Sequence, residues 1–370
     1  MNNTAILSGL PPEKLAGILA PLPRFRAVQI VKWIAGGIGT FDEMDNLPLS
    51  LRKELGEKFF LRPPGVIETI HRSDDGTAKL VMEFSDQVQT EAVLLADSSQ
   101  KKVPRLTACL STQAGCPAGC VFCKTGSLGF RRNLSSDEIV EQLLVLKKIA
   151  NGSPIANIVI MGMGEPLLNL AALRNAIEVF TCKEGLHFSR RRITVSTCGI
   201  VDGIIDFANG NANGNADGRP VRLALSLVTA DEQLRQRLMP ITVNHPLKQV
   251  KEALKIFQAK GGGRITLEIV LLGGINTQTS HARGIAQFAE GLDAIINLIP
   301  WNPVKGLNFE GSPLREPSPA EIASFTGSLE SFGLNVTRRY RRGRGVMGAC
   351  GQLGDKLQFA GEFGSKAHQS

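Results

Sequence analysis

The chain has 370 residues with a net charge of +8, and 43% of its residues are hydrophobic. This composition supports one large domain with a smaller one and excludes a membrane span, since no apolar run approaches the roughly 20 residues required. No basic segment followed by an apolar core opens the chain, so we expect a cytoplasmic protein without a signal peptide. In that compartment, clustered cysteines are typically ligands or catalysts rather than disulfides.

The first 62 residues predict a small helical domain. Apolar residues recur there at helical spacing within 11–22, 26–36 and 50–60, and Pro or Gly separates the segments. Residues 63–104 then predict a linking extension, because the stretch from about 77 to 96 alternates like the two strands of a β-hairpin.

From residue 105 to 355, short apolar runs alternate with amphipathic segments. Predicted strands are "LTACLS", "NIVIMG", "RITVST", "VRLALSL", "RITLEIVLL", "IINLIPW" and "LNVTRR". Predicted helices lie near 136–150, 169–181, 200–208, 246–259, 280–290 and 319–332. This alternation predicts an α/β fold of parallel βα units, a partial (βα)6-type barrel. The low-complexity stretch 209–220 predicts a surface loop, and 356–370 a C-terminal tail.

Three cysteines stand out in "ACLSTQAGCPAGCVFCKTG". Cys116, Cys120 and Cys123 form a C-x₃-C-x₂-C triplet at the carboxyl end of the first barrel strand, where barrel enzymes place their chemistry. Zinc sites usually combine two cysteine or histidine pairs, and the five histidines are isolated. Three thiolates on a short loop favour a [4Fe–4S] cluster with one iron left open for another ligand.

The triplet in this context resembles the signature of radical S-adenosylmethionine (SAM) enzymes, in which SAM chelates the open iron and yields a 5′-deoxyadenosyl radical. "GMGEPLLN" resembles the motif that binds the SAM amino group. The resemblance implies a [4Fe–4S] cluster and SAM as cofactors, with SAM contacts from residues at successive strand ends: Gly164, Glu165, Ser196, Ser226, Leu227, Val228 and Asn302. The family usually has histidine where this chain has Val228.

A narrower resemblance covers residues 20 to 355. "TEAVLL", "ACLSTQ", "GFRRNLSSDEI" and "GACGQL" are similar to motifs of the RlmN/Cfr methyltransferases, which methylate an unreactive carbon of adenine in RNA. "IPWNP" favours RlmN, which acts at carbon 2, over Cfr, which acts at carbon 8, and the N-terminal segment resembles the helical RNA-binding domain of RlmN.

This resemblance implies roles for three further residues. Cys350 is methylated by one SAM, and a radical from a second SAM converts the methyl group to a methylene that joins adenine. Glu91 then removes the proton at carbon 2, and Cys109 attacks the Cys350 sulfur, which releases the product and forms a disulfide. The implied partners are 23S ribosomal RNA, with transfer RNA as a second candidate, and an electron donor such as flavodoxin or ferredoxin, acting on a monomer.

Arginines and lysines are unevenly distributed. They cluster at Lys101 and Lys102, Arg131 and Arg132, 190–192, and within "RRYRRGR" at 338–344. Such a basic surface suits a phosphate backbone, although scattered solvated charge is the alternative interpretation. Two other hypotheses stay open from the sequence: methylation at carbon 8, and a zinc-bearing RNA-binding protein without catalysis.

Overall fold

A computed structural model describes residues 5–97, 105–212, 221–338, 343–355 and 357. Three features from the sequence fall wholly or partly outside these ranges: residues 213–220 of the low-complexity stretch, Lys101 with Lys102, and residues 339–342 of the arginine run. Most of the C-terminal tail lies outside them as well.

Three helices and a 3₁₀ turn build the N-terminal part, as the apolar spacing predicts. The helices are α1 (Pro12–Ile18), α2 (Arg24–Gly36) and α3 (Leu49–Lys58). Thr40 and Glu43 form a capping box at the 3₁₀ turn Phe41–Glu43, each satisfying a backbone N–H of the other. Gly37 ends α2 in the left-handed region with φ 88°, a conformation that glycine adopts without a Cβ clash.

One ten-stranded sheet carries the rest of the molecule. Its strands are β1 (Ile67–Arg72), β2 (Ala78–Glu83), β3 (Gln89–Asp97), β4 (Arg105–Leu110), β7 (Ile155–Ile160), β8 (Ile193–Thr197), β9 (Arg222–Ser226), β10 (Ile265–Leu271), β11 (Ala294–Pro300) and β14 (Val336–Arg338). Two small antiparallel ribbons pair β5 (Gln113–Gly115) with β6 (Phe130–Asn133), and β12 (Asn308–Phe309) with β13 (Ser312–Pro313).

The sheet has an antiparallel part and a parallel part. Strands β1 to β4 pair antiparallel in sequence order, so the predicted hairpin exists and β1 adds a third strand to it. From β4 onward, the order β4-β7-β8-β9-β10-β11-β14 is parallel throughout. The α/β architecture with a partial barrel is thus confirmed, and the extension is continuous with the barrel sheet.

Eight α-helices follow the N-terminal part within the described residues. They are α4 (Lys124–Ser127), α5 (Ser136–Ile149), α6 (Leu170–Thr181), α7 (Val201–Ala212), α8 (Glu232–Leu238), α9 (Leu247–Phe257), α10 (Thr279–Ala289) and α11 (Pro319–Ser331). A capping box of Ser135 and Glu138 starts α5. The sequence prediction missed α4 and α8, which are four and seven residues long.

The N-terminal helices pack on the outside of the barrel. The side chains of Arg62 and Glu141 form an ion pair across the junction with α5, and Nζ of Lys147 donates to the carbonyl oxygen of Ala35 at 2.6 Å. Apolar residues of α2 and α5 belong to one continuous core. No helix among the described residues has the length and hydropathy needed to cross a bilayer.

Candidate active site

A cavity of about 1010 Å³, counted with its open mouth, lies at the carboxyl ends of the parallel strands. This is the end at which barrel enzymes carry their reacting groups. Nine of the residues singled out from the sequence line it: Cys116, Cys120, Cys123, Gly164, Glu165, Ser196, Ser226, Asn302 and Cys350. Residues that are up to 234 positions apart in the chain thus share one cavity, since the parallel strands all end there.

The three triplet cysteines lie on the loop between β5 and α4. The loop is tightly closed: a methyl group at Gly126 would lie 2.8 Å from the carbonyl oxygen of Cys120. Burial raises the pKa of all three thiols, to about 12 for Cys116. At Cys120, the neighbouring sulfurs Cys123 and Cys116 raise the pKa further. A cationic centre bound by these thiols would favour their deprotonated form.

Three cysteine thiols on one short loop are a donor set that an iron–sulfur cluster can use. Within the described ranges, no three Cys, His, Asp or Glu side chains lie close enough together to bind one metal ion. In a [4Fe–4S] cluster, each thiolate binds a different iron of the cubane, so the three sulfurs do not have to meet at one ion. The donor set therefore fits a [4Fe–4S] cluster held by Cys116, Cys120 and Cys123.

Glu165 projects from the turn after β7 and is held from two sides. Its Oε2 accepts from the backbone N–H of Cys198 at 2.7 Å, and its Oε1 accepts from that of Leu167 at 3.1 Å. Burial raises the pKa of the carboxyl group despite these donors. Gly164 has φ 100°, and a methyl group there would lie 2.5 Å from Cβ of Gln113. Only glycine fits this approach, as the resemblance to the SAM-binding motif implies.

Two serines face each other across neighbouring strands. The hydroxyls of Ser196 on β8 and Ser226 on β9 lie 3.3 Å apart. Behind them the fully buried Arg235 of α8 donates through Nη2 to the carbonyl oxygen of Cys198 at 2.5 Å and through Nε to that of Leu227 at 3.2 Å. Arg235 thereby ties the ends of both strands together, and its Nη1 is a buried group without a hydrogen-bond acceptor among the described residues.

Leu227 and Val228 are assigned as SAM contacts from the resemblance, but the structure turns both side chains into the core. Both residues are 0% exposed and neither lines the cavity. Successive side chains of a strand point to opposite faces, so Leu227 points away when Ser226 points in. Val228 has φ 63°, an unusual conformation for a β-branched residue, and Asn276 donates to its carbonyl oxygen at 3.0 Å. Their assignment as SAM contacts therefore finds no side-chain support in this cavity and stays a prediction.

Residues 343–355 and 357, here called the Cys350 loop, contribute Cys350 and Gly351 to the cavity wall. The side chain of Asn302 donates to the carbonyl oxygen of Cys350 at 3.1 Å. The backbone N–H of Lys124 donates to the carbonyl oxygen of Gly351 at 2.8 Å, and the hydroxyl of Thr125 to that of Leu353 at 2.7 Å. These contacts dock the Cys350 loop directly onto the helix that follows the triplet.

Cys109 and Glu91 lie beneath the Cys350 loop rather than in the cavity wall. Cys109 is 7% exposed and belongs to a small apolar cluster with Val93, Met163, Leu353 and Leu357. Glu91 is 0% exposed, and its Oε2 accepts from the backbone N–H of Gly354 at 2.9 Å. The loop that carries Cys350 therefore contacts the surroundings of both residues.

Two cavity residues were not singled out from the sequence. Cys198 lines the cavity beside Glu165, and burial raises the pKa of its thiol. Glu268 of β10 also lines it, and its carboxylate accepts from Asn297 at 2.6 Å. A carboxylate inside the apolar run "ITLEIVLL" was the signal available for Glu268, since such a residue is rarely buried without a partner.

Part of the expected basic surface has a structural role. Arg132 pairs with Asp86 at 2.6 Å and with Glu138 at 2.7 Å, so its charge is already compensated. Arg190 is 7% exposed, whereas Arg191 and Arg192 are exposed. Arg191 and Arg192 keep the expected position at the surface.

Comparison with known proteins places these features in one family. Residues 110–282 match the model of the radical SAM superfamily, and residues 7–61 match the N-terminal domain of a ribosomal RNA large subunit methyltransferase. The chain is 45% identical to the "Probable dual-specificity RNA methyltransferase RlmN" of Treponema pallidum, covering 94% of this chain and 97% of that one. It is 39% identical to the "Dual-specificity RNA methyltransferase RlmN" of Lawsonia intracellularis, covering 89% and 90%.

A solved structure agrees with the sequence relatives. The crystal structure of a radical SAM methyltransferase from Sphaerobacter thermophilus matches with a TM-score of 0.84 and 34% identity, covering 95% of this chain and 100% of that one. The fold, the cysteine triplet and the relatives lead to the same conclusion: the chain belongs to the RlmN family of radical SAM RNA methyltransferases, whose cofactors are a [4Fe–4S] cluster and S-adenosylmethionine.

Proposed function

We propose that this enzyme methylates carbon 2 of an adenine in 23S ribosomal RNA, with Cys350 as the carrier of the incoming methyl group. The single observation that carries the proposal is that Cys350 lines the same cavity as the three cysteines of the triplet. A methyl group on its sulfur would therefore lie within the site of radical formation. The names of the relatives, which describe dual-specificity RNA methyltransferases, support RNA as the substrate, and we propose transfer RNA as a second substrate.

The chemistry of carbon 2 explains why a carrier is needed. This carbon is electron-poor, so a methyl cation equivalent cannot be transferred to it by simple displacement. When bound, the cluster and SAM supply the methyl group and a radical that removes a hydrogen atom from it, and they take back the one electron left after adenine is joined. Cys116, Cys120 and Cys123 would hold the cluster, and Glu165, Ser196, Ser226 and Asn302 would hold SAM.

Protein residues perform the remaining steps. With the methylene carbon joined to both the Cys350 sulfur and carbon 2, Glu91 accepts the proton of carbon 2, and the electron pair of that bond returns to the ring. The Cys109 thiolate then attacks the Cys350 sulfur. The carbon–sulfur bond breaks, its electron pair goes to the carbon, and a proton from solvent completes the methyl group. A thiol reductant afterwards restores both cysteines from their disulfide.

The position of Glu91 and Cys109 beneath the Cys350 loop sets a condition on this sequence. Both are buried, so the loop has to move from its docked position before adenine reaches them. The loop is docked by hydrogen bonds, each contributing only about 1 kcal/mol net, and by a small apolar cluster that includes Leu353 and Leu357. We propose that RNA binding displaces it. Two residues of this loop, at positions 343 and 351, are glycines in the left-handed region, with φ 73° and 83°.

The proposed partners follow from the same assignment. The substrate is RNA, bound through the N-terminal helical domain and the basic surface. Its phosphates would be contacted by exposed arginines, which give position rather than sequence recognition. We further propose flavodoxin or ferredoxin as electron donor, a monomeric enzyme and a cytoplasmic location.

Mass spectrometry of RNA nucleosides tests the site of methylation. RNA from a strain lacking the gene, and RNA from the complemented strain, are digested to nucleosides and compared with 2-methyladenosine and 8-methyladenosine standards. We expect 2-methyladenosine to disappear on deletion and to return with the wild-type gene but not with Cys350→Ala. Return of 8-methyladenosine instead would assign the chain to the carbon-8 reaction.

A further inference from the structure

Lys79 forms a buried ion pair with Glu91 and has no role in the reaction steps above. Lys79 on β2 and Glu91 on β3 are both 0% exposed, and Nζ of Lys79 lies 3.0 Å from Oε1 of Glu91. Burying an ammonium and a carboxylate costs several kcal/mol for each ion before their mutual attraction is counted. Apolar side chains would pack in the same place without this cost, so the pair calls for a functional explanation.

The strand register fixes the geometry of this pair. Lys79 lies opposite Val93, and Val81 lies opposite Glu91, so Lys79 and Glu91 are diagonal neighbours on one face of the antiparallel sheet. Diagonal neighbours are within reach of long side chains. Both residues lie within strands of the central sheet, so the contact between Nζ and Oε1 does not depend on the Cys350 loop.

The second oxygen of Glu91 is held differently. Its Oε2 accepts from the backbone N–H of Gly354, four positions after Cys350 and 263 positions after Glu91. Gly354 has φ 101°, and a methyl group there would overlap the side chain of Leu128. This N–H belongs to the loop that must move for adenine to enter. Glu91 thus has one oxygen bound to the sheet and one bound to the movable loop.

We propose that Lys79 is a positioning residue for Glu91. It holds Oε1 in the sheet and compensates the charge, so that when the loop withdraws the N–H of Gly354, Oε2 remains a carboxylate oxygen aimed at the space where adenine enters. Oε2 then accepts the proton of carbon 2 while the electron pair of the broken bond stays in the ring. This inference rests on the proposed function, because it requires Glu91 to be the proton acceptor.

The test separates proton removal from the earlier steps. Full-length enzyme with its cluster is given SAM, a reductant and a 23S RNA fragment transcribed with adenosine carrying deuterium at carbon 2. Mass spectrometry measures the methylation of Cys350, the cleavage of SAM, the methylated product, and the deuterium retained in any adenine attached to Cys350. The variants are Lys79→Met, Lys79→Arg, Glu91→Gln, and the double variant Lys79→Met with Glu91→Gln.

We expect Lys79→Met to keep Cys350 methylation and SAM cleavage but to lose product about 100-fold or more, the range of a general base. The attached adenine should retain its deuterium, as in Glu91→Gln. The double variant should lose no further product, because Lys79 acts only through Glu91. Lys79→Arg keeps the charge and should retain more product than Lys79→Met. Ile285→Ala, a buried change on α10 far from the pair, serves as the control for destabilisation and should still remove the deuterium.

The outcomes distinguish the role of Glu91 as the base from the role of Lys79 in positioning it. If Glu91→Gln forms product normally, Glu91 is not the base, and this inference and that part of the proposed function both fail. If Glu91→Gln is blocked while Lys79→Met removes deuterium normally, only the role of Lys79 is wrong. The role of Lys79 is also overturned if Lys79→Met lowers product by the same factor in the Glu91→Gln background, or if Lys79→Arg falls as far as Lys79→Met. Should Lys79→Met fail to take up its cluster, the comparison of Lys79→Arg with Glu91→Gln decides the question.

Discussion

At the scale of single residues, the backbone conformation of Gly164 affects SAM binding, because Gly164 directly precedes Glu165. The substitution Gly164→Ala would place a methyl group 2.5 Å from Cβ of Gln113, at a position where the backbone has φ 100°. Overpacking costs about 1–3 kcal/mol, and the unfavourable backbone conformation adds about 1–3 kcal/mol. Because the clash pushes the turn that carries Glu165, we expect both lower stability to denaturant and weaker SAM binding measured by calorimetry.

Gly152 provides the matched control for this change. Its φ is 83°, and a methyl group there would meet nothing within 4 Å. Gly152→Ala should therefore lose only the backbone part of the stability and bind SAM normally. Equal losses of SAM affinity in the two variants would show that the contact with Gln113 does not position Glu165.

The sequence predicted which residues share the cavity where a motif or a strand end specifies the position. Gly164, Glu165, Ser196, Ser226 and Asn302 all line the cavity, because residues at the carboxyl ends of neighbouring parallel strands converge. The side-chain orientation of Leu227 and Val228 was not predictable, because it depends on a one-residue alternation and, at Val228, on a positive φ. The pair of Lys79 and Glu91 was not predictable either, since only the register of two strands brings these charges together.

At the scale of elements, the helix α4 links the cluster loop to the Cys350 loop. The hydroxyl of Thr125 donates to the carbonyl oxygen of Leu353, so Thr125→Val leaves that oxygen without its donor, at a cost of about 1–3 kcal/mol. We expect the Cys350 loop to open more often in this variant. The rate at which a thiol reagent modifies Cys350, followed by mass spectrometry, should rise about tenfold in the cluster-free protein.

Ser127 lies on the same helix and supplies the control. Its hydroxyl donates to the carbonyl oxygen of Lys124 at 2.7 Å and does not reach the loop. Ser127→Ala should leave the modification rate of Cys350 unchanged. A Thr125→Val protein with the same rate as wild type would mean that other contacts hold the loop.

The cluster loop as an element makes a separate prediction. Cys120→Ala removes one of the three thiolates, so the reconstituted protein should lose its iron and sulfide, about four of each in the intact cluster, and should no longer cleave SAM. Cys182→Ala is the control, because Cys182 lies near the N-terminal helices and does not line the cavity. Iron and sulfide analysis after anaerobic reconstitution measures both. A normal reducible cluster in Cys120→Ala would contradict the assignment of ligands.

Elements were largely predictable because the signals are local. The seven parallel-sheet strands and the six helices of the barrel named from the sequence are all present, with ends within a few residues. The short elements β1, β5, β6, α4 and α8 were not predicted. They carry few apolar residues, and their positions depend on neighbouring strands and loops rather than on periodicity.

At the scale of the whole molecule, the excess of positive charge should govern RNA binding. The logarithm of affinity is expected to fall linearly with the logarithm of salt concentration, with a contribution of about 0.7–0.9 for each phosphate contact. Replacing Arg341, Arg342 and Arg344 together with alanine should reduce that slope by about 2. Filter binding of a 23S RNA fragment across a salt series measures it.

An arginine elsewhere on the surface serves as the control for the salt dependence. Arg264 and Asp293 pair at 2.7 Å just before β10 and β11, at the end of the parallel sheet opposite the cavity, and Arg264→Ala should leave the slope unchanged. If the triple variant also leaves the slope unchanged, RNA binds elsewhere on the molecule.

The central claim is that RNA is joined to Cys350 and released by Cys109, and the variant Cys109→Ala tests it most directly. Cys350 methylation and SAM cleavage should continue, while the reaction should stop as a covalent protein–RNA adduct, seen as labelled RNA migrating with protein in a denaturing gel. The double variant Cys109→Ala with Cys350→Ala should form no adduct. Normal turnover by Cys109→Ala, or an adduct that persists without Cys350, would contradict the account.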